Sequence, residues 1–269
     1  MTEQQADAVA LAARIVADHA AARPFPGYAP EAGANLDLAY AVQDRVVAAF
    51  RAAGRGAPAG WKIGLTSASM QAFCNLDHPL AGVILDGGVA HSPARLSRGA
   101  YGRLGLECEI CLRTARDLPP QAGPLAHAAA EELVASVAPA FELIDDRAAS
   151  YDGLDAFSII ADNGWNAGIV LGEELAAWPD LAACTGRLAI DGTMIDQGAG
   201  ADVLGHPLAA LSWLAAHLGS RGETLPAGSL VMTGSMVRTQ FAEAGRHYTF
   251  QLTAHDGRSM GGVELQVED

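Results

Sequence analysis

The stretch GLECEICLRTARDLPP, residues 105–120, puts two carboxylates one residue apart inside an apolar run. Leu106, Ile110 and Leu112 surround Glu107 and Glu109, and the polar sequence begins only at Arg113. In a β-strand, residues i and i+2 face the same side, so Glu107 and Glu109 point together while Cys108 and Ile110 point away. Two anions so close repel, and burying them uncompensated raises at least one pKa. A divalent cation removes that cost, and paired carboxylates joined by a third acid suit Mg2+ or Mn2+. APAFELIDDR (138–147) offers such an acid, Glu142, between Phe141 and Leu143. The spacing alone equally allows an exposed edge strand with solvated carboxylates.

The same alternation argues against a zinc site. Cys108-Glu-Ile-Cys111 has C-x-x-C spacing, but on a strand the two sulfurs face opposite sides, and no second cysteine pair accompanies them.

The 269 residues are half hydrophobic and 18% charged, which suits one large domain, or a main domain with an appendage, and argues against disorder. Seventeen basic against thirty-one acidic residues give a net charge of −14. That balance opposes binding to nucleic acid and to anionic membrane surfaces. No apolar run is long enough to span a bilayer. The N-terminal MTEQQADAVALAARIVADHAAARP is amphipathic and carries both charge signs, unlike a signal peptide. Four cysteines are few for a secreted scaffold, so the expected location is the reducing cytoplasm.

Outward from the quoted stretch the chain divides in two. Residues 4–22 and 36–53 have helical periodicity, with Leu38, Val42, Val46 and Phe50 on one stripe of the second. GRGAPAG (54–60) ends this section, which gives an N-terminal helical region over 1–58 and a main domain over 59–269. From Trp61 short apolar runs alternate with Gly, Pro and Asp, the texture of a folded sheet or barrel. EELVASVA (131–138) and HPLAALSWLAAHLGSRG (206–222) are predicted helices, and the C-terminal run predicts a hairpin turning at 255–258.

Lys62, between Trp61 and Ile63, needs a carboxylate partner if it is buried, or snorkels if it is not. Near a cation-bound oxyanion such a lysine can stabilise charge or shuttle protons. Asp162 and Asn163 follow an apolar run and precede Gly164, consistent with an Asx turn or with polar groups delivered to a cleft.

Together these segments resemble the 2-keto-4-pentenoate hydratase family of the fumarylacetoacetate hydrolase superfamily. The matching phrases are WKIGLTS (61–67), LECEICLRTARDLP (106–119), APAFELIDDR (138–147), ADNGWNAGIVLG (161–172), LGHPLAALSWLA (204–215) and LVMTGSM (230–236). The resemblance implies an α+β fold: a rolled mixed β-sheet like the superfamily's C-terminal domain, with an N-terminal helical appendage. It implies Glu107, Glu109 and Glu142 as ligands of Mg2+ (or Mn2+) and Lys62 as the active-site lysine. Asp162, Asn163, Trp165, Thr66 and Ser235 are then expected around the substrate.

The implied reaction is hydration of a 2-hydroxy-2,4-dienoate to a 4-hydroxy-2-oxo acid in aromatic-compound catabolism. Decarboxylation of a 2-oxo-3-enedioate is the nearest alternative, with Arg103 and Arg238 as candidates for holding its distal carboxylate. An acylpyruvate-type C–C hydrolase and a non-catalytic partner subunit are the others. The resemblance further suggests a homo-oligomer, or pairing between hydratase and decarboxylase. Two departures stand out. Related enzymes commonly have small residues after Asp-Asn, where this chain has Gly164, Trp165 and Asn166. The hydrolases carry His-x-x-Glu where this chain has Met70 and Phe73, which leaves Asp77 and His78 as a nearby acid or base.

Overall fold

The computed structural model describes residues 3–31 and 33–269. Two helices, α1 (Glu3–Ala20) and α2 (Leu36–Phe50), precede β1 (Pro58–Gly64), α3 (Ala68–Phe73), β2 (Leu80–Leu85), β3 (Val89–His91) and β4 (Ala94–Ser97). The long β5 (Leu104–Thr114), the short α4 (His127–Glu132) and the long β6 (Val134–Asp145) follow. Next come α5 (Ala156–Ala161), β7 (Asn166–Leu171), β8 (Thr185–Ile190), β9 (Thr193–Ala199) and α6 (Pro207–Ser220). The chain closes with β10 (Leu230–Ser235), β11 (Gln240–Phe241), β12 (His247–Thr253) and β13 (Ser259–Glu268).

The larger sheet runs β2-β1-β10-β5-β6-β7-β3, with β11 added beside β5. Its β1–β10 and β3–β7 pairs are parallel and the others antiparallel, so the sheet is mixed. Strand β2 lies against β7 although the two stand far apart in the hydrogen-bonded order, so the sheet rolls. The smaller sheet, β4-β13-β12-β8-β9, contains the expected C-terminal hairpin.

Alternation along β5 decides how the layers stack. Leu104, Leu106, Cys108, Ile110 and Leu112 share one core with Tyr248, Phe250, Val263 and Leu265 of the smaller sheet and with Leu211 and Leu214 of α6. Cys111 belongs to a different apolar cluster, with Ala140, Ile169 and Met232, so the two sulfurs of the C-x-x-C do lie on opposite faces. Glu107 and Glu109 share the face of Cys111.

One predicted helix is only partly helical. Residues 127–132 form α4, but from Val134 the chain is already β6, which pairs with β5 from Val134 to Asp145. The β-branched Val134 and Val137 are buried against the main core, and pairing with β5 overrides the helical propensity of the Glu-Glu-Leu run.

The N-terminal helices share a core with the rolled sheet's inner side. Ile15, Val42, Val46 and Phe50 pack with Leu80, Ile144, Phe157, Ile160 and Trp165. Polar ties reinforce the joint: Gln43 Nε2 donates to the carbonyls of Ala81 and Ile160, and the Tyr40 hydroxyl accepts from Ala81 N–H. Among the described residues no helix is long and apolar enough to cross a membrane.

Candidate active site

The antiparallel register sets Glu107 of β5 directly opposite Glu142 of β6. Glu109, two residues along β5, lies on the same face. One oxygen from each of the three carboxylates lies within 4.8 Å of the other two. The protein grips each acid by one oxygen. Glu109 Oε2 accepts the Gly234 N–H at 2.8 Å, and Glu107 Oε1 accepts the Thr239 hydroxyl at 2.8 Å. Glu142 Oε1 accepts Asn166 Nδ2 at 3.0 Å and lies 3.3 Å from Lys62 Nζ. Glu109 Oε1 and Glu142 Oε2 are buried and have no partner among the described residues.

The grip on Glu109 depends on a glycine. Gly234 has φ +113°, and a β-carbon there would lie 2.3 Å from Thr66 Oγ1, so only glycine brings this N–H to the carboxylate.

Glu109 and Glu142 are both fully buried. Burial first, then repulsion from Glu142 and Glu107, pushes Glu109 well above the usual carboxylate range. Burial also pushes Glu142 up, to about 7, against the attraction of Lys62. Burial would lower Lys62, but the pull of Glu142, Glu107 and Glu109 outweighs it and keeps the ammonium charged. One cation facing three acids leaves an excess of negative charge, and two carboxylate oxygens have no donor. An all-oxygen set of this kind, with no sulfur or imidazole, fits a hard divalent cation such as Mg2+, Mn2+ or Ca2+. The solvated edge-strand alternative is thereby removed.

A cavity of about 210 Å3 opens beside the acids, lined by Lys62, Thr66, Glu107, Trp165, Ser235 and Thr239 among others. Its other walls are largely apolar, including Leu80, Ile144, Leu154 and Ile159. The volume is below the range for drug-sized ligands and suits a small molecule. Thr66, Trp165, Ser235 and Lys62 thus line the cavity as expected. The Ser235 hydroxyl is engaged with the Val237 carbonyl and Cys108 N–H.

Three expected site residues lie elsewhere. Asp162, 2% exposed, binds Arg147 Nη2 at 2.5 Å and His19 Nε2 at 2.5 Å, tying α1 to the body. Asn163 is spent on β2: its Oδ1 accepts Val83 N–H and its Nδ2 donates to the Val83 carbonyl, closing the roll beside β7. Neither lines the cavity beside the acids. Asp77 is exposed on the turn after α3 and is also absent from that lining. The short α3 carries the reason: it ends at Phe73, so the chain turns outward before reaching Asp77.

Sequence reasoning missed Asn166 and Thr239, which orient two of the three acids. The signal for Asn166 was present, a polar amide opening the apolar run of β7. Thr239 carries none, since it precedes a two-residue strand whose pairing with β5 is purely tertiary.

The family model for the fumarylacetoacetate (FAA) hydrolase C-terminal domain matches residues 83–267. The chain belongs to the fumarylacetoacetate hydrolase family. Within the family it is 32% identical to the 2-keto-4-pentenoate hydratase of Burkholderia vietnamiensis over 76% of this chain and 77% of that one. It is 34% identical to the 4-oxalocrotonate decarboxylase of Pseudomonas sp. strain CF600, over 66% of this chain and 67% of the relative. A solved family structure, 4-oxalocrotonate decarboxylase from Pseudomonas putida G7 complexed with magnesium and adipate, superposes with a TM-score of 0.87 at 27% identity. That match covers 99% of this chain and 98% of the other.

Proposed function

We propose that the chain is a divalent-metal-dependent hydro-lyase that hydrates a 2-hydroxy-2,4-dienoate of the 2-keto-4-pentenoate type, a reaction of aromatic-compound catabolism. The observation that carries this reading is the trio Glu107, Glu109 and Glu142, with two buried unpartnered oxygens, facing a small cavity of otherwise apolar wall. Bound by the trio, Mg2+ would supply a Lewis acid that polarises the oxygen of a 2-oxo acid.

The chain's own residues do the rest. Lys62, 4% exposed and held by Glu142, presents a charged ammonium at the cavity wall and moves protons to and from the substrate. Protonation of the dienol at C5 gives a 2-oxo-3-enoate. Water then adds its oxygen to C4 and a proton to C3, giving the 4-hydroxy-2-oxo acid with one water consumed. Thr66 and Ser235 border this space, and the apolar walls exclude bulk water from the conjugated tail. Residues 59–269 carry this chemistry, and α1 and α2 brace the roll from one side.

Decarboxylation of a 2-oxo-3-enedioate is the second reading, favoured by the near-complete superposition on a decarboxylase. The cavity weighs against it. Among the described residues Lys62 is its only lining cation, and Glu142 already holds it. Arg103 is clamped by Asp146 and the Ala149 carbonyl, and Arg238 is not in the lining. The C–C hydrolase reading lacks a water-activating histidine: Met70 lines the cavity and Phe73 is exposed. A non-catalytic role does not account for three acids and a lysine gathered out of solvent, an arrangement that costs stability.

The test is a Mg2+-supplemented panel of five- to seven-carbon 2-hydroxydienoates and the matching enedioates, followed by loss of dienoate absorbance and by CO2 release. Hydration of a monocarboxylic dienoate without CO2 is expected; CO2 release from an enedioate as the main activity would overturn the reading. We further infer a homo-oligomer, since Met194 and Ile195 are exposed on the edge strand β9. Four free, buried cysteines fit a cytoplasmic location.

A further inference from the structure

A second cavity, of about 550 Å3, lies behind the first, and among the described residues Trp165 is the single one that lines both. The backbone holding it is unusual. Asn163, Gly164 and Trp165 have φ of 53°, 60° and 59°, three successive left-handed residues, a conformation that bulky side chains avoid. The surroundings enforce it. The Asn163 amide is clamped to Val83 from both sides, and Gly164 packs on the Lys62 stem, where a β-carbon would come within 3.1 Å of Cε. The indole is wedged edge-on between Phe25, at 5.2 Å, and Tyr151, at 6.2 Å. It is 7% exposed, and its Nε1–H has no partner. Local strain held by so many contacts points to a role for the side chain it places.

The two sides of this partition differ in chemistry. In front, the lining near Trp165 is Leu80, Ile144, Leu154 and Ile159, with no cation available to a second carboxylate. Behind it, the lining includes Arg55 and Arg147 together with the acid Asp145. Arg55 lies over the Phe50 ring at 4.0 Å and has no hydrogen bond or ion pair among the described residues. Arg147 is already held by Asp162, which leaves Arg55 as the cation there that can meet a carboxylate.

We propose that Trp165 is a specificity-determining residue whose indole walls the substrate cavity off from the polar cavity that holds Arg55, restricting the enzyme to 2-oxo acids with a short apolar tail. This rests on the hydratase reading above for the position of the 2-oxo acid at the glutamate trio. Removing the indole joins the two cavities and gives a longer, dicarboxylic ligand access to Arg55.

The test compares Mg2+-dependent binding of 2-oxopentanoate and 2-oxoadipate by calorimetry in the wild type, Trp165→Gly and Trp165→Phe. Glycine takes the positive φ without strain and opens the wall, whereas phenylalanine keeps a ring there without the N–H. The wild type is expected to prefer 2-oxopentanoate by about tenfold or more, Trp165→Gly to shift that ratio about tenfold towards 2-oxoadipate, and Trp165→Phe to stay near the wild type. If the glycine variant does not fold, Trp165→Leu, which shortens the wall, carries the same comparison. An unchanged ratio in a folded variant, or a wild type that binds both acids equally, overturns the proposal. No binding of either acid overturns both the wall and the site reading. A shifted ratio in a protein that hydrates no dienoate would sink the hydratase reading alone.

Discussion

Glu109→Gln is expected to lower turnover by about 10^3-fold or more, a loss of several kcal/mol of transition-state stabilisation, and to remove tight binding of the divalent cation. The substitution is nearly isosteric, and the Gln carbonyl can keep the bond now made from Gly234 N–H to Oε2. The amide nitrogen then stands where Oε1 is buried without a partner, and it has no lone pair for a cation. A merely structural role predicts a different signature. Burial and the neighbouring acids already disfavour the charged form of Glu109, so a neutral side chain relieves repulsion in the cation-free protein. The cation-free variant is therefore expected to melt at the wild-type temperature or above it, while the rise on adding Mg2+ disappears. Full activity in this variant would refute the assignment.

Lys62→Met separates proton transfer from cation binding. Methionine matches the stem that packs along Gly164 and leaves out the ammonium. The expected loss in kcat is about 10^2- to 10^4-fold, the range for a displaced acid-base group. Cation affinity should hold or tighten, because Lys62 repels a dication at the trio and Asn166 still fixes Glu142 Oε1. Kinetics across a Mg2+ titration reads both quantities. A kcat near the wild-type value with weakened cation binding would make Lys62 a structural counter-ion instead.

The strands carrying these residues were legible because their side chains alternate between a dry core and an acid-bearing face. Glu107 and Glu109 could be paired from their spacing, whereas the opposition of Glu107 and Glu142 is a register between segments and needs the fold. The start of β6 was obscured by the helical propensity of Glu131-Glu132-Leu133; the strand also runs through Pro139, where pairing with β7 has not yet begun. Asp162 and Asn163 show the opposite limit. Two polar residues after an apolar run resemble site residues, yet their partners, His19, Arg147 and Val83, include groups far away in the chain. Burying such groups demands partners, and the sequence does not say whether those are substrate or protein.

The most direct measurement is a crystal structure of the protein grown with Mn2+, recorded at a wavelength where the ion scatters anomalously. A single peak is expected about 2.0–2.3 Å from one oxygen each of Glu107, Glu109 and Glu142, on the side facing the cavity. A peak elsewhere, or none at the trio in crystals of a preparation that turns over the dienoate, would contradict it.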